Sequence, residues 1–136
     1  MANKNSGKYL DVEGASTADG GNIQQYSKAA VDQQQWEFQD AGNGYYYIIS
    51  KKSGKAIGVA GGSNADGANV IQWAKVTTDD YEKWKLEDAG DGYFYIVQKH
   101  SGKVLDVEGS SLVDKGNVIQ YQKTGGNNQK WKFEAV

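Results

Sequence analysis

Hydrophobic and polar positions alternate along this chain in short runs of three to six residues, bounded by Gly, Asn, Asp or Ser. In residues 45–49 and 93–97 the alternation places one aromatic residue and one isoleucine on the same face, which is predicted to be core. No stretch of eleven or more residues sustains the 3.6-residue period of an α-helix. The pattern therefore predicts an all-β chain of many short strands.

The strand pattern recurs as three copies of one repeat. Each copy begins with Ser-Gly-Lys, 47 and 48 residues apart, and the three motifs start at Ser6, Ser53 and Ser101. A tryptophan follows in each copy at spacings of 48 and 47 residues, namely Trp36, Trp84 and Trp131. Each copy contains about four strand-like runs, so we predict twelve strands, with hairpins closing one end of a barrel that leaves no exposed edge.

The chain of 136 residues has the length of one domain with a single core. We therefore predict one domain over residues 1–136, with repeats at about 1–51, 52–99 and 100–136. The third copy reaches the end of the sequence before its closing strand, and residues 1–5 are predicted to take that place. Eighteen Gly and no Pro indicate that Gly, Asn, Asp and Ser form the turns.

Charge and composition exclude several classes of function. The net charge is −2 and the charged residues are scattered, so no basic stripe is present for nucleic acid or for an anionic membrane surface. No apolar run is long enough for membrane insertion, and the first ten residues have no signal-peptide core. Without cysteine, a disulfide framework and a thiolate metal site are excluded. We expect a cytosolic protein or a segment of a longer secreted or extracellular protein.

The motifs of the repeat resemble those of the ricin B-type lectins, also called family 13 carbohydrate-binding modules. They are Leu-Asp-Val near the start of a copy, a Val-x-x-Trp turn at residues 70–73, and Gln-x-Trp at residues 34–36 and 129–131. The resemblance covers essentially the whole chain. It implies a β-trefoil with up to three shallow sugar sites, one per copy, and a preference for galactose-type ligands. In each site an aspartate and an Asn-Gln pair would hydrogen-bond the sugar, and an aromatic side chain would stack on its ring.

The resemblance transfers these roles unequally to the three copies. The third copy carries the complete set, which is Asp106, Tyr121, Asn128 and Gln129. The first copy carries Asp11, Tyr26 and Gln34, with Gln33 where the family pattern has Asn. In the second copy Gly58, Tyr81 and Glu82 replace the aspartate and the amide pair, and only Trp73 remains. We predict sugar binding by copies one and three, and a dead or altered site in copy two.

These residue types suit a pyranose ligand. A carboxylate accepts hydroxyl protons and an amide both donates and accepts, so together they match neighbouring sugar hydroxyls. An aromatic ring presents a large, stiff, electron-rich face to the C–H groups of the sugar. The tryptophan of the Gln-x-Trp position persists in the copy that lost its polar partners, so we interpret it as core. The aspartates Asp11 and Asp106 could instead only cap a turn, because Asp is common at such positions.

Three classes of function remain to be compared. The first is a non-enzymatic lectin or carbohydrate-binding module, including one that targets a glycoside hydrolase to xylan or arabinan-type polysaccharide. The second is a glycoside hydrolase, which needs one acid and one base in a single cleft, whereas Asp11 and Asp106 recur by pseudo-symmetry. The third is a protein-binding β-trefoil. We expect no metal and no cofactor, a carbohydrate ligand, and a domain that is free-standing or attached to a larger enzyme or toxin.

Overall fold

The computed structural model of the chain describes residues 1–135, which form twelve strands and six single-turn 3-10 helices. The strands are β1 (Ala2–Asn3), β2 (Tyr9–Val12), β3 (Ile23–Tyr26), β4 (Trp36–Gly42), β5 (Tyr45–Ser50), β6 (Ala56–Val59), β7 (Val70–Trp73), β8 (Trp84–Gly90), β9 (Tyr93–Gln98), β10 (Val104–Val107), β11 (Val118–Tyr121) and β12 (Trp131–Lys132). The prediction of an all-β chain with twelve strands is confirmed. Within residues 1–135, no helix combines the length and apolar character needed to cross a membrane.

The strands of each repeat form two kinds of antiparallel hairpin. Short hairpins pair β2 with β3, β6 with β7, and β10 with β11, while long hairpins pair β4 with β5 and β8 with β9. The long hairpins also pair with one another through β5–β8 and β9–β12, which forms the barrel wall. The third long hairpin joins the two ends of the chain, because Ala2 lies opposite Lys132 and Asn3 opposite Trp131. The prediction that residues 1–5 complete the third repeat is confirmed.

The repeated tryptophans close the core of the barrel. Trp84 and Trp131 are fully buried, and each indole Nε1 donates a hydrogen bond to the backbone carbonyl of Ile57 or Leu105. Trp36 makes the same bond to Leu10, but it is only half-buried and borders a cleft of about 620 Å³. The prediction that these tryptophans belong to the core is therefore confirmed for Trp84 and Trp131, whereas Trp36 lies at the edge of the core. In the third long hairpin, strand β12 has only two residues, whereas the corresponding strands β4 and β8 have seven each.

A ring of three asparagines ties the repeats together. The side-chain amides donate cyclically, Asn22 to Asn117 at 2.9 Å, Asn117 to Asn69 at 2.9 Å, and Asn69 to Asn22 at 2.8 Å. Each Oδ1 accepts one bond and each Nδ2 donates one, so polar groups in a partly buried position are satisfied. This ring fixes the starts of β3, β7 and β11, which carry the candidate aromatic residues at their other ends.

A second set of buried amides fixes the loops between the repeats. Gln25, Gln72 and Gln120 are fully buried, and each Nε2 donates to two carbonyls of a neighbouring repeat. Each Oε1 accepts from the hydroxyl of the serine in Ser-Gly-Lys at 2.7–2.8 Å. The same pattern in all three copies, including copy two, indicates a structural role. These bonds hold the strands that carry the candidate site residues in a common frame.

Candidate functional site

Each repeat places its candidate residues on three neighbouring elements. The aspartate position lies on the first strand of the short hairpin, and the aromatic residue ends the second strand. The amide pair lies on a single-turn 3-10 helix just before the Gln-x-Trp tryptophan, namely Asp32–Gln34, Asp80–Glu82 and Asn127–Gln129. A glycine in the left-handed region follows the first strand, as at Gly109 with φ 63°, within a single-turn 3-10 helix. The three elements therefore converge on the aspartate.

Repeat three holds its aspartate by a buried amide. Gln129 is fully buried, and its Nε2 donates to Asp106 Oδ2 at 2.9 Å and to the carbonyl of Gln122 at 2.9 Å. Its Oε1 accepts from the backbone N–H of Thr124 at 2.9 Å. Every polar atom of the Gln129 side chain thus has a partner within the protein. The side chain fixes the Asp106 carboxylate and does not itself reach the surface.

The remaining residues of repeat three surround that carboxylate. Asn128 is half-buried and donates from Nδ2 to the carbonyl of Val107 at 3.1 Å. Burial raises the pKa of Asp106, and hydrogen bonds from Gln129 and Asn128 act in the opposite direction. Tyr121 is half-buried at the end of β11, in the same short hairpin as Asp106. The structure therefore brings Gln129 and Asn128 to Asp106, and it places Tyr121 on the facing strand two residues from the partner of Asp106.

Repeat one uses two amides to hold its aspartate. Gln34 donates to Asp11 Oδ2 at 3.1 Å, and Gln24 donates to Asp11 Oδ1 at 3.1 Å. Burial raises the pKa of Asp11, and these two hydrogen bonds oppose that rise. Gln34 is buried and its other bonds go to the backbone, as in Gln129. Gln33 is half-buried and has no hydrogen-bond partner within residues 1–135, and Tyr26 is 36% exposed.

Gln24 is a site residue that the sequence motifs did not indicate. It lies directly opposite Asp11 in the β2–β3 register, where the other two repeats have Ile71 and Ile119. Its side chain is buried, and Oε1 has no hydrogen-bond partner. The available signal was the hairpin register itself, because residues directly opposite in an antiparallel pair are close enough to interact. A polar residue at a position that is apolar in both other copies marks the contact.

Repeat two has a carboxyl group in a different place. Glu82 is buried and its Oε1 accepts from the backbone N–H of Val76 at 2.7 Å. Burial raises the pKa of Glu82 to about 7; the Val76 hydrogen bond lowers it, whereas the nearby charges of Asp79 and Asp19 raise it. Trp73 is 45% exposed, the largest exposed aromatic side chain of the described residues. In this copy a buried carboxyl group on the 3-10 helix therefore lies where the other repeats have an amide, and the tryptophan beside it is exposed.

Gly58 lies in close contact with the 3-10 helix that carries Glu82. A Cβ atom at Gly58 would lie 2.9 Å from Glu82 Cγ and 2.9 Å from the carbonyl oxygen of Tyr81. An aspartate at this position would collide with the 3-10 helix unless the backbone moved. Gly58 therefore lets the 3-10 helix of repeat two lie closer to the strand than a residue with a side chain would.

The sequence matches a known protein family over nearly its whole length. A family model described as ricin-type beta-trefoil lectin domain-like matches residues 1–73 and 80–136. No curated protein sequence matches the chain.

Several solved structures share the fold over nearly the whole chain. A designed three-fold symmetric protein, ThreeFoil, is 50% identical with a TM-score of 0.96, and the match covers 99% of this chain and 96% of that one. An exo-β-1,3-galactanase from Clostridium thermocellum, 1,3Gal43A, is 40% identical with a TM-score of 0.96, over 99% of this chain but 29% of the galactanase. The Rhizoctonia solani agglutinin is 30% identical with a TM-score of 0.85, over 97% and 89% of the two chains. These matches support a β-trefoil.

Proposed function

Because the chain belongs to the ricin-type β-trefoil lectin domain-like family, we propose that it binds galactose-type sugars through repeats one and three. The observation that carries the proposal is the arrangement in repeat three. There a carboxylate held by a buried amide lies beside a second amide and an aromatic ring. This combination offers acceptors, donors and an apolar face to one pyranose. Repeat one offers the same combination around Asp11.

The proposed roles differ between the two carboxylates and the two amides that hold them, all of which have exposed fractions of 5% or less. Asp106 and Asp11 accept hydrogen bonds from sugar hydroxyls, and Tyr121 and Tyr26 stack on the sugar ring. Gln129 and Gln34 act by orienting these carboxylates, since their own polar atoms are occupied within the protein. This revises the direct sugar contact expected from the motif. Asn128 is the half-buried member of the amide pair in repeat three, and Gln33 has its place in repeat one.

The preference for galactose-type sugars is supported by one neighbour. The exo-β-1,3-galactanase contains a 40% identical region of the same fold, and this chain spans 29% of that enzyme. A region of that size within a galactanase favours a ligand related to galactan. It also favours a second candidate function, in which the chain is a non-catalytic module that delivers a glycoside hydrolase to polysaccharide. Both functions use the same sugar sites.

We propose that the domain itself is not an enzyme. Hydrolysis of a glycoside by two carboxyl groups needs them about 5–10 Å apart across one bond. In the proposed site of repeat three, the hydrogen-bond donors to Asp106 come from amide side chains. The equivalent carboxylate, Asp11, belongs to a different repeat. Release of reducing sugar from aryl β-galactosides by the purified domain would contradict this assignment.

The proposal is tested by removing one carboxylate at a time. NMR titration with methyl β-galactoside should show two weak sites in the wild-type protein and one in Asp106→Ala, since each hydrogen bond to a wet site contributes about 0.5–1.5 kcal/mol. Asp11→Ala should lose the other site. Glu37→Ala, which removes an exposed carboxylate on β4, is the matched control. Unchanged binding in Asp106→Ala, or no response of the wild-type protein to any galactoside, would reject the proposal. A protein-binding trefoil would give that second result.

The valency of the domain follows from two usable repeats. Trp73→Ala should leave the number of methyl β-galactoside sites at two, because repeat two lacks the strand aspartate. A polysaccharide that engages both sites should be retained roughly 10²–10⁴ times more strongly than a monosaccharide where geometry permits. Affinity electrophoresis in galactan gels, compared with Asp106→Ala, measures this gain. Equal retardation of the two proteins would show that only one site binds.

A further inference from the structure

Repeat two contains a cavity beside its exposed tryptophan. The cavity has a volume of about 280 Å³, and its lining includes Val59, Ile71 and Val76 together with Trp73 and Glu82. Such a volume approaches the lower end of ordinary small-molecule pockets. The lining is mostly apolar, and Gly58 contributes no side chain to it. The cavity therefore combines an apolar wall, an aromatic side chain and one carboxyl group.

The carboxyl group is buried and only half satisfied. Glu82 is 2% exposed, and Oε1 accepts from the Val76 N–H at 2.7 Å. The other oxygen, Oε2, has no hydrogen-bond partner among the described residues. This oxygen is not fully enclosed, because the fully buried side-chain atoms without a partner among the described residues are Gln24 Oε1 and Ser50 Oγ. It can therefore accept a hydrogen bond from a ligand in the cavity. In repeats one and three the corresponding atom is an amide nitrogen that donates to an aspartate.

The surroundings of Glu82 offer acceptors and negative charge. The Tyr81 hydroxyl already donates a hydrogen bond to Asp79 Oδ2 at 2.6 Å, and the Tyr81 ring packs edge-on against the His100 ring. Asp19 accepts from the Ala74 N–H and forms an ion pair with Lys55 at 3.3 Å.

These charges act on Glu82 together with its burial. Burial is the largest cause of the raised pKa of Glu82, and the charges of Asp79 and Asp19 add to it. A cationic group beside Glu82 would offset all three effects. Trp73 lines the same cavity, and an electron-rich indole ring attracts cations.

We propose that repeat two is a third ligand site, specific for an amino sugar whose ammonium group pairs with Glu82 while its ring packs on Trp73. An ammonium group has three donors and no acceptor, so it suits a site that lacks free donors. A neutral sugar hydroxyl would bring no charge to compensate the carboxylate. The site is independent of Asp11 and Asp106, and its ligand differs in chemical class from that of repeats one and three.

The test uses a matched pair of ligands in the Asp11→Ala/Asp106→Ala double variant. Methyl 6-amino-6-deoxy-β-galactoside and methyl β-galactoside differ only by an ammonium in place of a hydroxyl. We expect the amino sugar to shift the indole N–H resonance of Trp73 with one equivalent per chain, and the neutral sugar to bind at least tenfold more weakly. Affinity for the amino sugar should rise from pH 6 to pH 8 as Glu82 ionises, since a primary ammonium stays charged over this range.

Variants of repeat two complete the test. Glu82→Gln should weaken amino-sugar binding at least tenfold and abolish its pH dependence, and Trp73→Ala should weaken it similarly. Glu82→Gln is expected to fold, because Gln occupies this position in the other two repeats. Equal affinities for the two ligands, unchanged binding in Glu82→Gln, or a response confined to repeats one and three would overturn the proposal. Because both strand aspartates are absent from the double variant, failure here is distinguishable from failure of the galactoside sites.

Discussion

Repeats two and three have the same scaffold but different candidate sites. In both, a fully buried tryptophan donates to a strand carbonyl, and a buried glutamine is bonded to the serine of Ser-Gly-Lys. The differences are confined to the positions around the site, where Asp106, Asn128 and Gln129 correspond to Gly58, Tyr81 and Glu82. Residues that hold the fold are thus the same in both copies, whereas residues of the candidate site differ.

The differences between the two repeats also have to be mutually compatible. In repeat three a strand carboxylate accepts from a helix amide, and in repeat two a helix carboxyl group lies against a strand glycine. In each repeat, one carboxyl group lies between the first strand of the short hairpin and the 3-10 helix. Two acidic groups there would leave both without the amide donor and would add charge repulsion. The comparison therefore predicts that exchanging single residues between the repeats has effects of opposite sign.

The largest effect is expected when repeat three receives the acidic residue of repeat two. Gln129→Glu removes the donor to Asp106 and to the Gln122 carbonyl, and brings a second buried carboxyl group within about 3 Å of the first. We expect a loss of about 2–5 kcal/mol of unfolding free energy at pH 7.5. Urea unfolding measures it. The loss should shrink at pH 5, where one of the two groups is protonated and can donate.

A control for that experiment is Gln122→Ala, which alters an exposed side chain and keeps the backbone carbonyl that Gln129 contacts. Its stability should stay within about 0.5 kcal/mol of the wild-type value. If Gln129→Glu proves equally harmless at pH 7.5, the buried amide does not hold Asp106 as described.

The reverse exchange should stabilise repeat two. Glu82 has a pKa near 7 when folded and an ordinary value of 4.5 when unfolded, so the folded state binds more protons between these values. Wild-type stability therefore falls as pH rises from about 4.5 to above 7. Glu82→Gln removes this dependence, and should be about 1–3 kcal/mol more stable than wild type at pH 8. Thermal unfolding at pH 5 and pH 8 measures the difference, and an identical pH profile in both proteins would contradict it.

The smallest effect concerns the remaining difference between repeats one and three. Gln33→Asn gives repeat one the shorter amide that donates to a strand carbonyl in repeat three. We expect galactoside affinity at repeat one to rise two- to fivefold, within about 1 kcal/mol, because one amide becomes ordered before binding. Residue-resolved NMR titration separates this site from repeat three, where affinity should not change. A fall in affinity would indicate that the longer side chain of Gln33 itself reaches the sugar.

The fold could be predicted from the sequence because the repeat makes every signal threefold. The three Ser-Gly-Lys motifs mark a hairpin that recurs with the same pairing, and the truncated third copy correctly indicated that residues 1–5 pair with the strand of Trp131. The partial exposure of Trp36 was missed. Sequence spacing gives the position of that residue in its copy, but its burial depends on how far the neighbouring hairpin extends.

The candidate site was harder to predict than the fold. The motif identified Gln34 and Gln129 as neighbours of an aspartate, but on a single-turn helix the spacing does not show which side chain points inward. Both proved buried, and they bond the carboxylate from below. Glu82 occupies the same inward position, so its substitution places a carboxyl group inside the protein. Such an effect depends on side-chain direction and surrounding solvent, which a one-dimensional pattern does not contain.

The pairing of the chain ends has a consequence for the order in which the molecule is assembled. Asn3 Nδ2 donates to the carbonyl of Asn128 at 3.0 Å, a contact between residues 125 positions apart in sequence. The short hairpin of repeat one closes over fewer than twenty residues, whereas repeat three needs both ends of the chain. Contacts of such long separation form late, because the intervening chain must first be ordered. The hairpin of repeat one can therefore form early in folding, whereas the candidate site of repeat three depends on the later pairing of β1 with β12.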